Sequence, residues 1–169
     1  MRNEVLSFTI GPSSSNRPVT GHGLVYYATG WNTGQVLAVK PDGRGDVTAT
    51  HVVWRVTRGA PKKPSMLLAG DLLMMVNDTG VVTCLDAHTG AEVWTARLTD
   101  SYSASPILSE GRVYFFSEDG TATVIEAGRT FNKLAENTLE QGFMASPAVD
   151  GRALFLRTKT HLYRIEGSR

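Results

Sequence analysis

Residues 84–98 read CLDAHTGAEVWTARL, and the rest of the chain is a set of looser copies of this stretch. Val81 to Leu85, rich in β-branched and apolar residues, reads as a strand. Asp86 to Gly90 supplies turn chemistry, because an Asp side chain bonds its own backbone and glycine accepts a positive φ. Glu92 to Leu98 returns as a second strand carrying one large aromatic, Trp94.

Working outward, the same plan recurs. A proline lies in a short strand, a glycine turn follows, and an apolar strand, a polar turn and another strand complete the unit. Pro18, Pro64, Pro106 and Pro147 are 46, 42 and 41 residues apart, and Gly34, Gly80 and Gly120 are 46 and 40 apart. A period in the low forties with four short strands per unit is the signature of propeller blades. The reading predicts an all-β chain of four four-stranded antiparallel blades in a single domain over residues 1–169. The units cover 17–57, 63–98, 104–136 and 145–166. In the third, the outer strand is expected at Phe131 to Ala135, with Leu134 where an aromatic belongs. A β-sandwich is the competing fold, but it gives no reason for so regular a repeat.

Packing explains the residue choices. Blades stack face to face, so the middle strands bury both sides and lose the alternation of charge. A proline on the strand lining the channel lacks only an N–H that an edge does not need. Trp54 and Trp94 are expected to lie between neighbouring blades, each indole N–H meeting a carbonyl.

The fourth unit has three strands. Residues 4–10, EVLSFTI, align with EVWTARL, Glu4 on Glu92 and Leu6 on Trp94, so this segment is predicted to complete the last blade and cover its open edge. Closure within one chain gives a four-bladed ring. Closure between two chains gives an eight-bladed homodimer, favoured because bulky tryptophans wedge the blades apart. The chain is also compatible with being a piece of a longer propeller.

Bulk composition narrows the function. A formal net charge of +1 gives no field for nucleic acid. No stretch of 18 apolar residues exists for membrane insertion, and no apolar core of a signal peptide stands in the opening residues. With Cys84 alone, an intrachain disulfide is excluded.

Asp86, Thr89, Gly90 and Trp94 resemble the tryptophan-docking motif, A-x-D-x-x-T-G-x-x-x-W, of the PQQ-like quinoprotein propeller family, with Cys84 in place of the usual Ala. That family includes alcohol and sugar dehydrogenases, which hold a quinone over a tryptophan floor with an Asp base, a Ca²⁺ and often a pair of adjacent cysteines. It also includes non-catalytic members such as the outer-membrane assembly lipoprotein. Adjacent cysteines are impossible here and no calcium-ligand signature is found. The resemblance therefore implies a non-catalytic scaffold that binds a protein or peptide, with no cofactor and an extracytoplasmic location. A relative or fragment of a quinone-dependent dehydrogenase is the alternative.

No catalytic, cofactor or metal residues are assigned. His22, His51, His88 and His161 are scattered, with no metal spacing. Ser101, Ser103 and Ser105 with His88 and Asp100 are not read as a triad, since Ser105–Pro106 recurs as Ser146–Pro147 and marks a structural repeat. Asp78, Asp86 and Asp119 are read as turn residues. Arg44, Arg58, Lys62 and Lys63 in loops, and Tyr102 and Phe143 near the channel mouth, are the candidate partner contacts. Packing between blades is the competing role for the two aromatics.

Overall fold

The computed structural model describes residues 6–7, 16–29 and 34–167. After β1 (Leu6–Ser7), the first sheet is built from β2 (Val19–Gly21), β3 (Leu24–Thr29), β4 (Gln35–Val39) and β6 (Val52–Val56), with β5 (Gly45–Asp46) in the loop before its last strand. The second sheet is β7 (Leu67–Ala69), β8 (Leu72–Val76), β9 (Val81–Asp86) and β10 (Glu92–Arg97). The third is β11 (Ile107–Ser109), β12 (Arg112–Phe116), β13 (Thr121–Glu126) and β14 (Lys133–Thr138). The fourth is β15 (Ala148–Asp150), β16 (Ala153–Arg157) and β17 (Leu162–Glu166). Each of these four is an antiparallel meander with neighbours in chain order, as blades require.

Alternation along the strands explains how the sheets stack. All of β8 is buried. Leu73 and Met75 join Tyr26, Ala28, Val36 and Trp54 between the first and second sheets. Leu72, Met74 and Val76 point the other way, toward Val113, Phe115 and Ile125 of the third. Phe116 faces Phe143 and Leu156 across the next gap. Three apolar clusters thus fill three gaps, and among the described residues none joins the fourth sheet to the first. Among the described residues, the four sheets form an open arc.

A ladder of hydroxyls runs along the inner wall of that arc. The Arg17 N–H donates to Ser65 Oγ at 2.9 Å, Ser65 N–H to Ser105 Oγ at 2.9 Å, and Ser105 N–H to Ser146 Oγ at 3.0 Å. Strand registers make Arg17, Ser65, Ser105 and Ser146 equivalent, each lying two residues before the first paired residue of its blade. The next position holds Pro18, Met66, Pro106 and Pro147. Pro64 therefore sits two residues ahead of its expected place in the repeat. The serine, not the proline, marks the second unit, because it makes the contact between blades.

Three expectations shift. Of segment 4–10 only Leu6 and Ser7 are described. They pair in parallel with Gly45 and Asp46, not with β17. Gly45, at φ +67° with open space on its side-chain side, leaves backbone accessible beside the first sheet. The outer strand of the third sheet runs to Thr138, three residues past its expected end at Ala135. Phe131 is left outside that strand and packs edge-on to Trp94, ring centroids 5.4 Å apart.

Candidate functional site

Because each sheet is a meander, its connections alternate between the two ends of the arc. One end carries the β8–β9, β12–β13 and β16–β17 turns and the links from one sheet to the next. The other carries the turns at Gly21–Gly23, Gly70–Asp71, Glu110–Gly111 and Gly151–Arg152, together with the β9–β10 turn and the loop of Arg44.

The Asp86–Gly90 turn is built as its residues require. Asp86 Oδ1 accepts the His88 N–H, the Thr89 N–H and the Thr89 hydroxyl at 3.2, 3.2 and 3.0 Å. These bonds, the hydroxyl first, hold its carboxyl below the usual range. Trp54 from the preceding sheet lies on this turn, and its indole N–H donates to Ala87 O at 3.0 Å. The Trp94 indole does the same to Gly128 O, also at 3.0 Å, one blade further on. A Cβ on Gly90 would lie 2.7 Å from the Trp54 ring. Ala87 and Gly90 of this turn therefore meet the tryptophan of the preceding unit, while Trp94 serves the next. Cys84 is buried in the cluster between the second and third sheets, and burial raises its thiol to about 11.

The candidate partner contacts separate. Lys62 and Lys63 lie at one end and Arg44 at the other. The backbone N–H of Lys62 donates to Asp78 Oδ2 at 3.0 Å. Lys63 Nζ reaches Glu118 Oε1 at 3.0 Å and Ser103 Oγ at 2.8 Å, and the Ser103 hydroxyl also donates to Glu118. That hydroxyl, then Lys63, holds the Glu118 carboxyl below its ordinary value. Lys63 is thus a strut between sheets. Arg58 and Arg44 stand exposed. Tyr102 and Phe143 are fully buried between blades, which removes both from any contact surface. Burial pushes the Tyr102 phenol up to about 12. Ser103, Ser105 and His88 are each engaged elsewhere, and the serines lie at the opposite end from His88, so no triad forms.

Two features escaped the sequence. One is the outward face of the fourth sheet. Register equates Tyr26, Met74 and Tyr114 with Phe155, and Val36, Val82 and Ala122 with Leu162. In the first three sheets these positions face the following blade. In the fourth, Phe155 is only half-buried and Leu162 is 74% exposed, whereas Val36 and Val82 are fully buried. Among the described residues no strand pairs with the outer edge of β17.

The other is a meeting of histidines. His22 of the β2–β3 turn and His88 of the β9–β10 turn bring their rings to 4.4 Å between centroids. Both place Nε2 on Asp71 Oδ1, at 3.2 and 3.3 Å. His22 and His88 are therefore not scattered. They are 66 residues apart in the chain, and only blade stacking joins them. The one local signal was His22–Gly23 in a tight turn.

A family model described as outer membrane protein assembly factor BamB matches residues 43–134, more than half of the chain. No curated protein matches. Among solved structures, the computationally designed Ika8 protein superposes with a TM-score of 0.73 at 13% identity, over 95% of this chain and 48% of its own. BamB from Moraxella catarrhalis gives 0.67 at 18% identity, over 85% of this chain and 43% of its own. The designed Ika4 protein gives 0.67 at 12% identity, over 98% of this chain and 99% of its own. The chain thus spans less than half the length of the first two and nearly all of the third.

Proposed function

We propose, from the premise that the chain belongs to the family of outer membrane protein assembly factor BamB, that it is a non-catalytic scaffold working as an eight-bladed ring shared by two copies. The ends of that ring bind protein or peptide partners, outside the cytoplasm. The observation that carries the reading is the outward face of the fourth sheet. Phe155 and Leu162 occupy positions that every other sheet packs against its successor. The occupant with a matching face is the first sheet of a second copy, whose half-buried Val25 and Tyr27 lie on its side away from the second sheet. The serine ladder supports the same arrangement, since it runs on from blade to blade and ends at the exposed Ser146.

Two equivalent joints would then form about one two-fold axis, each burying the same pair of faces. Light scattering tests this. The expected result is twice the mass of the 18.3 kDa chain for the wild type and the monomer mass for Leu162→Asp. A wild type at monomer mass across micromolar concentrations overturns the shared ring. For the scaffold reading, a thermal melt unchanged by added pyrroloquinoline quinone with Ca²⁺ is expected. A raised melting point would assign the chain to the dehydrogenases.

A further inference from the structure

We propose that His22, Asp71 and His88 form a zinc-class metal site that clips the first blade to the second. Nothing in the scaffold reading requires it. The three donor atoms come from three separate turns at one end of the arc and lie within 4.8 Å of one another. On a tetrahedral ion with bonds of about 2.0–2.1 Å, neighbouring ligand atoms sit about 3.3 Å apart. The two Nε2–Oδ1 separations here are 3.2 and 3.3 Å. One ion on the open side of these atoms can touch all three with small side-chain rotations.

The chemistry of the donors selects the ion. Two imidazoles and one carboxylate suit Zn²⁺ and its first-row neighbours. Ca²⁺ and Mg²⁺ prefer sites made wholly of oxygen. Asp71 is 69% and His88 52% exposed, so solvent reaches the site and a water can take the fourth position.

The His22 side is built more firmly. Its ring is 21% exposed, and Nδ1 lies 3.1 Å from the hydroxyl of Tyr26, a side chain with no solvent exposure. A histidine bound through one nitrogen commonly donates the N–H of the other to an oxygen, which fixes ring and tautomer. Tyr26 stands in that place. The ion displaces no covalent bond. Each neutral imidazole carries its proton on Nδ1 and offers the Nε2 lone pair, and at His22 that N–H donates to the Tyr26 oxygen. At the next blade interface, register puts Gly70 in the place of His22, Gly111 in that of Asp71 and Gly128 in that of His88. The same trio therefore does not arise at the next blade interface.

The test uses the full chain, stripped with a chelator and titrated with ZnCl₂ by calorimetry. One ion per chain and a raised melting point are expected. Co²⁺ should give the visible bands of a tetrahedral site with nitrogen ligands. Asp71→Asn, His88→Gln and His22→Asn should each weaken binding at least about tenfold, and Tyr26→Phe by about tenfold. Asn is chosen at position 22 because it tolerates the left-handed backbone there, φ 55°. His161→Gln should bind as the wild type does. Absence of binding, or binding that survives all three ligand substitutions, overturns the site. Nitrogen NMR of the wild type needs no variant, and Nε2 resonances of His22 and His88 unmoved by Zn²⁺ overturn it equally.

Discussion

At the scale of single residues, Trp54 packs on the next blade's turn and ties one blade to the next. It combines burial of a large ring with a satisfied indole N–H, and it excludes any side chain at Gly90. Gly90 also sits at φ +72°, where a Cβ is disfavoured. Gly90→Ala combines backbone strain with a clash against the ring, so a loss of roughly 2–4 kcal/mol in denaturant unfolding is expected. Trp54→Phe keeps most of the apolar area and leaves Ala87 O without its donor, for about 1–2 kcal/mol. The order of the two losses is the check. If Trp54→Phe costs more than Gly90→Ala, close contact between ring and turn is not what governs this joint. These residues were legible in the sequence because the pattern from Asp86 to Trp94 is local. Its partner was not visible there, since the ring that fills the Gly90 turn comes from a blade earlier in the chain.

At the scale of strands and turns, the blade plan was readable and its register was only partly so. Apolar, β-branched runs and turn residues place β9 and β10 within a residue of their observed bounds. Pro64 misleads by two positions, because proline answers to an open edge while the hydroxyl of Ser65 answers to the neighbouring blade, and only the latter is periodic in space. The pairing of His22 with His88 was invisible for the same reason: it exists only after blades stack.

Carboxylates join these elements. Asp86 pins its turn through Thr89, and Glu118 ties Ser103 and Lys63 across a sheet boundary. Both have lowered values in the folded chain. Their contribution is therefore fully present above the ordinary carboxylate range of about 4 and is lost as pH falls below it. Urea midpoints measured from pH 7 down to 3 should drop for the wild type and drop less for Thr89→Ala. Parallel curves would show that the hydroxyl of Thr89 does not set the acid response of the turn.

At the scale of the whole molecule, the arc poses a problem of edges. A propeller is stable because every sheet has two neighbours, and full closure leaves no exposed strand or face. Among the described residues, three gaps are filled and the terminal face is not. The exposed Leu162 and half-buried Phe155 then favour association over solvation. In the proposed shared ring, association of two copies would couple folding to mass action, because the joined state would bury these faces. The melting temperature of the wild type should therefore rise as protein concentration is raised a hundredfold. That of Leu162→Asp should lie lower and stay constant, since its terminal face carries a charge in place of the apolar contact. The outcome separates the two closures. A ring closed within one chain melts at the same temperature at every concentration, and in it Leu162→Asp would strike a buried position and lower the melting temperature by an amount that dilution does not alter.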